Sequence, residues 1–266
     1  MRHLLWVLLF VLGTLLPNLA SAGSSEGGDP VLPSAKVAAF ANIVQHDLAA
    51  RGVPIAIVAR MGRDPALLPA GVRYTHVSFW VYSQITHADG STGRGYQAYN
   101  LYQESGNQTR SRLVQDSPAD FFAGAHRLDA GIIIPDVRLQ KKLLKIIGSP
   151  AYSALHNPRY SVLANPNTST FQNCTEHTLD ILMAALYDTQ DIPQIKANIT
   201  AHFTPQDIRL GGVKRFLAPV ASKALTTKDH GAKVATATFG SIARFMRANK
   251  LATKIYTITP EKTRNF

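Results

Sequence analysis

The chain has 266 residues, a single cysteine, 28 lysines and arginines against 17 acidic residues, and a formal charge of +11. One cysteine excludes an internal disulfide, so stability has to come from an apolar core, which a chain of this length buries readily. The positive charge favours polyanionic surroundings such as envelope polymers or an anionic membrane surface, while scattered basic residues without a recognition motif argue against nucleic acid.

Residues 1–22 read as an export signal, with Arg2 ahead of the apolar stretch Leu4 to Leu16 and Ala20-Ser21-Ala22 as the cleavage site. This predicts a periplasmic or secreted protein. Residues 23–34 form a polar, glycine-rich leader, and residues 35–266 are expected to fold as one α+β domain with a helical C-terminal extension from about 190. A helix is predicted from Ser34 to about Ala50, stopped by Gly52, followed by a strand over Pro54 to Arg60. Tyr74 to Gln84 and Gly95 to Gln103 read as two further strands, with Asp89-Gly90 as turn chemistry between them. Gln103 to Pro118 is polar and loop-like. Ala130 to Pro135 reads as a buried strand, Asp136 to Ile147 as a helix with its basic residues outward, and Tyr160 to Ala164 as another short strand. Beyond the chain break at Asn165-Pro166-Asn167 come the cysteine helix, the segments Ile192 to Phe203 and Pro205 to Pro219, a helix near Phe239 to Asn249, and a strand over Lys254 to Thr259.

The candidate chemistry centres on Cys174. Asn173 and Glu176 have the spacing of a capping box, which makes Cys174 the first residue of its helix. The positive helix end favours an accessible thiolate there. In an exported chain an unpaired cysteine is a candidate nucleophile, and the alternative is a small buried hydrophobe. Strand alternation puts Tyr74, His76 and Ser78 on one face and Val77, Phe79 and Val81 on the other. His76 is therefore a candidate base for the thiol, against the alternative of a strand histidine bonded to backbone. Asn100 or Gln103 would hold the imidazole in its useful tautomer; the register between strands is open, and a short turn at Asp89-Gly90 favours Gln103. Gln172 is a candidate oxyanion donor, His177 a second base, and Tyr74 and Tyr160 candidate groove residues. No His/Cys/Asp/Glu cluster has ligand spacing, so no metal or other cofactor is expected.

The strand His76-Val77-Ser78-Phe79, a second strand bearing a polar residue, and the later Asn173-Cys174-Thr175-Glu176-His177 together resemble the permuted papain-like enzymes. These are relatives of the NlpC-type cell-wall peptidases and of the lecithin retinol acyltransferase group, in which the cysteine helix follows the histidine strand. Arg73 to His76, Phe121-Phe122, Ile132 to Pro135, His156 to Ser161 and Phe171-Gln172-Asn173 also resemble a bacterial secreted family, domain of unknown function 2145, over about residues 35–220. The resemblance implies a circularly permuted papain-like (NlpC-like) fold, with an antiparallel sheet packed against the cysteine helix. It also implies a triad of Cys174, His76 and Asn100, although the third member in that clan is more often histidine. The function it implies is an extracytoplasmic cysteine hydrolase or acyltransferase acting on an amide or ester bond. A peptidoglycan peptide is the first substrate and a lipid or lipoprotein acyl group the second. A non-catalytic envelope-binding protein, or an adaptor using its basic C-terminal helices, are the alternatives. Nothing in the sequence sets the oligomeric state.

Overall fold

The computed structural model describes residues 30–86, 89–209 and 222–266, so the expected export signal and most of the leader lie outside it. Runs of β-branched and aromatic residues become the strands of one antiparallel sheet. They are β1 (Ile55–Met61), β2 (His76–Thr86), β3 (Thr92–Gln103), β4 (Ser111–Asp116), β5 (Arg127–Pro135), β8 (Ala252–Thr259) and β9 (Lys262–Asn265). Their order across the seven-stranded sheet is β4-β3-β2-β1-β5-β8-β9. Every residue of β1 is buried, as a continuous apolar run demands of a central strand covered on both faces. A minor two-stranded ribbon pairs β6 (Gln206–Asp207) with β7 (Ala235–Thr236).

Helices cover both faces. The first face carries Ile55, Ile57, Val77, Phe79 and Ile133 and packs on α3 (Val137–Ile147), α5 (Cys174–Tyr187), α6 (Ile192–His202) and α7 (Phe239–Ala248). The second face carries Ala56, Val58, Trp80 and Ile132 and lies under α1 (Ser34–Ala50) and α2 (Pro118–Ala123). There Phe40, Phe121, Phe122 and Trp80 meet edge to face, with the Phe40 and Phe122 centroids 4.9 Å apart. Each such pair adds about 0.5–1.5 kcal/mol to its area burial. The short α4 (Ala151–Ala154) joins α3 to the segment leading into α5. α3 is amphipathic as expected: Asp136 caps it by accepting from the Arg138 and Leu139 N–H groups, and Arg138, Lys141, Lys142 and Lys145 face water. α5 is different, being buried from Cys174 through Ala185, and so forms the central element of the first layer.

Three sequence expectations are corrected. The segment expected to be a loop before Pro118 contains β4, a polar edge strand paired with β3. Tyr160 to Ala164 is no strand; Tyr160 makes only a single bridge to Gln172. The C-terminal part is not a helical extension, since β8 and β9 complete the main sheet. Among the described residues, no helix is long and apolar enough to cross a membrane.

Candidate functional site

Asn173 is extended (φ −123°, ψ −179°) and its Oδ1 accepts from the Glu176 N–H at 2.9 Å and the Thr175 hydroxyl at 2.8 Å. The cap is as read from the sequence, and it makes Cys174 the first helical residue. The reciprocal half of the capping box is absent, because the Glu176 carboxyl turns instead to Lys196, 2.7 Å away. The Cys174 Sγ points at the Thr75 carbonyl oxygen, 3.9 Å away, and packs with Leu101, Tyr160 and Ala224. It is only 5 % exposed, and this burial pushes the thiol up to about 11. The N–H groups of Val77, Thr175 and Cys174 itself, with the Arg60 guanidinium, pull the other way but do not prevail. The accessible thiolate expected from the helix end is therefore overturned: desolvation outweighs the helix amides.

The sulfur reaches β2 because the sheet opens there. The β2–β3 ladder starts only at Phe79–Tyr99, although β2 begins at His76 and β3 runs on to Gln103. Thr75 C=O and Val77 N–H, the groups beside the sulfur, flank His76 in the chain. The imidazole itself points to the second layer, stacked on Tyr102 (4.8 Å between centroids) and tilted against Phe121 (5.4 Å). Thiol and imidazole thus approach the same short stretch of β2 from opposite faces.

His76 Nε2 lies 3.0 Å from Asn100 Oδ1. The Asn100 Nδ2 donates to Ala98 O at 3.1 Å and to Asp116 Oδ2 at 3.3 Å, so Oδ1 is the acceptor and Nε2 carries the hydrogen. The neutral ring then has its lone pair on Nδ1, which is buried and has no hydrogen-bond partner. Burial, and then the charge of Arg60, hold His76 well below the usual imidazole range, against the opposing Asn100 bond. Both members of the pair are therefore neutral at physiological pH, and no hydrogen bond joins them.

Arg60 escaped the sequence reading. It sits opposite His76 in the β1–β2 register, is 2 % exposed, and donates from Nη1 to Phe121 O. Its guanidinium lies 5.6 Å from the Tyr102 ring centroid and 5.3 Å from that of Phe121. Gly124 reserves its space, since a Cβ there would fall 2.6 Å from Nη2. The available signal was an arginine closing an otherwise apolar central strand.

The weaker candidates separate. Tyr160 is brought beside the sulfur. Gln172 is not: its Nε2 donates to Leu155 O (3.0 Å) and Asp180 Oδ2 (2.8 Å), and its Oε1 accepts from Asn157 N (2.8 Å), so it is no oxyanion donor. His177 is buried against Tyr152, 3.3 Å from that residue's carbonyl oxygen; burial, reinforced by His156, pushes it down to about 3. Tyr74 donates to Asp129 at 2.8 Å and packs on Phe239 in the first layer, away from the face where alternation placed it with His76. Gln103 gives its amide to Gln108 O at 2.7 Å, and Asn100 rather than Gln103 orients His76. Among the described residues, no group of three or more His, Cys, Asp or Glu could hold a metal ion.

A family model described as an uncharacterised protein conserved in bacteria, domain of unknown function 2145, matches residues 47–246, a span containing His76, Asn100 and Cys174. No curated protein and no solved structure matches the chain.

Proposed function

The chain belongs to this bacterial family, domain of unknown function 2145, and we propose that it is an extracytoplasmic cysteine hydrolase or acyltransferase of permuted papain-like fold. The supporting observation is the buried, unpartnered Nδ1 of His76, its tautomer fixed by Asn100, on the strand residue flanked by the two whose backbone groups contact the capped Cys174. When a substrate carbonyl enters, Sγ turns from Thr75 O and attacks the carbonyl carbon, and its proton is relayed through the opening between β2 and β3 to Nδ1 on the other face, the resting sulfur and imidazole having no bond between them. Both groups rest neutral, so proton transfer accompanies attack instead of preceding it. The carbonyl oxygen takes the electron pair and is stabilised by the N–H groups at the start of α5. Collapse expels the amine or alcohol, which receives the proton from His76. Water or a second acceptor then attacks the thioester. Throughout, the Nε2–H bond to Asn100 keeps the ring in place.

The preferred substrate is a peptidoglycan peptide, with a lipid or lipoprotein acyl group second, and the cationic surface suits either anionic setting. The test is incubation with peptidoglycan fragments and, separately, with labelled phospholipid, followed by intact-mass detection of an acyl adduct. Wild type should form product and adduct with one substrate class, and Cys174→Ala neither. Absence of product and adduct with both substrate classes in the folded wild type, or product formed equally by His76→Ala, overturns the proposal.

One observation favours a second reading, a non-catalytic envelope-binding protein. The thiol is 5 % exposed and held neutral by burial. That reading expects no alkylation of the folded protein and unchanged ligand binding in Cys174→Ala.

A further inference from the structure

At the end of the sheet opposite β4, the β8–β9 hairpin borders a cavity of about 400 Å³. Its charged lining is Arg73, Arg127, Lys262, Arg264 and a single acid, Asp129. β9 is the outer strand, and its register sets Arg264 across from Thr257 and Lys262 across from Thr259. Cross-strand partners share a face, so both basic residues lie on the side where the two threonines line the cavity. Arg73 comes from the segment before β2 and Arg127 from the start of β5. Four cations from three separate stretches of chain thus meet around one hollow.

Asp129 is fully occupied in holding Arg73. Its Oδ2 accepts from Arg73 Nη2 at 2.6 Å and its Oδ1 from the Tyr74 hydroxyl at 2.8 Å, while the guanidinium lies over the Tyr74 ring, 5.3 Å from its centroid. Asp129 is 3 % exposed, whereas the Arg73 side chain remains 46 % exposed. A buried carboxylate therefore anchors the arginine and leaves its other N–H donors open. Arg127, Lys262 and Arg264 are exposed, and among the described residues their side chains form no hydrogen bond or ion pair. Glu261, in the β8–β9 turn, accepts from the Thr259 hydroxyl at 2.8 Å. That bond first, and the charges of Lys262 and Arg127 after it, hold its carboxyl below the usual range. Four cations against these two acids leave the hollow with a surplus of two positive charges.

We infer that this cavity binds the phosphate group of a phosphate monoester, carried either by a small soluble molecule or by a phospholipid head. A surplus of two charges matches a phosphate dianion, where a carboxylate would cancel only one. Guanidinium forks pair with phosphate oxygens two at a time, and Arg73, Arg127 and Arg264 supply three of them. A metal ion is repelled by the same surplus. The lining has no aromatic side chain on which a base could stack, unlike a groove for single-stranded nucleic acid. The volume lies within the range of small-molecule sites.

The site does not rest on the thiol chemistry proposed above. The experiment is calorimetric titration of the protein at low ionic strength with glycerol 3-phosphate, with glycerol and acetate as uncharged and singly charged comparisons. Flotation with phosphatidylcholine vesicles, with and without phosphatidic acid, tells a lipid-borne phosphate from a soluble one. Arg127→Gln/Arg264→Gln removes two cavity cations, and Lys141→Gln/Lys145→Gln removes the same charge from the exposed face of α3. All four side chains are exposed, so both variants should melt like wild type, and Lys262→Gln repeats the cavity test with one charge. Supporting results are saturable binding of the ester, or capture by the phosphatidic acid vesicles, that weakens about tenfold or more in the cavity variant and by less than about twofold in the α3 variant. Affinity for the ester should rise between pH 5.5 and 7.5, as the phosphate takes its second charge at about pH 6, and fall with added salt. No saturable binding of ester or vesicle, acetate bound as tightly as the ester, or equal weakening in the two double variants overturns the assignment.

Discussion

Alkylation of Cys174 as a function of pH reads directly on the balance of forces around the sulfur. Burial raises this thiol from an ordinary 9.0 to about 11, against the helix-end amides and Arg60. Two units correspond to about a hundredfold less thiolate, or roughly 2.7 kcal/mol. At pH 8 the ionised fraction is then about one in a thousand in the folded protein, against about one in ten for the unfolded chain. Iodoacetamide labelling followed by intact-mass detection should give a folded-state rate that climbs about tenfold per pH unit and keeps climbing towards pH 11, while the same protein in urea levels off near 9. The limited exposure of the sulfur can only widen the gap. His76→Ala removes the neutral base, so it should leave the iodoacetamide profile nearly parallel but abolish acyl transfer to a substrate. A folded-state rate that is already fast and flat from pH 5 to 8 would refute the neutral pair and require a thiolate–imidazolium pair instead.

Asn100→Leu strands the buried Nε2–H of His76 and frees Asp116 Oδ2 of its amide. It should cost about 1–3 kcal/mol in urea unfolding and lower turnover more than substrate affinity. Lys196→Met leaves Glu176 and Asp180 without their shared cation. Unfolding at neutral pH should show a loss of about 3–5 kcal/mol. The loss should shrink as pH falls, because both carboxyls are held above their usual range and take up protons first. Gly124→Ala pushes a methyl into the Arg60 guanidinium, whose escape is blocked by the Tyr102 and Phe121 rings. Destabilisation of about 1–3 kcal/mol in thermal melts is expected, with a shift in the His76 titration followed by NMR as Arg60 moves.

Much of this architecture could be read from local pattern. The apolar runs that became β1 and β5 and the amphipathic spacing of α3 are self-contained signals, and Asn173 announces the start of α5 by its chemistry alone. β4 was hidden because an edge strand exposed on much of its surface needs no apolar alternation, and its pairing comes from the free edge of β3. The choice between Asn100 and Gln103 turned on parity. The observed register puts Ala98 opposite Trp80 and Gln97 opposite Val81. Even-numbered β3 residues therefore share the face of His76, and odd-numbered Gln103 cannot. Arg60 and Lys196 were illegible for another reason. A basic side chain in a sequence is normally solvated, and only contacts across many residues show that these two are enclosed.

The opening between β2 and β3 also bears on how such a site can change over generations. Amide and carbonyl groups belonging to the main chain, not to exchangeable side chains, form the bed on which the sulfur rests. Mutation can redecorate whatever surrounds that bed, and so alter what is admitted to it. It cannot delete the bed itself without unmaking the strand.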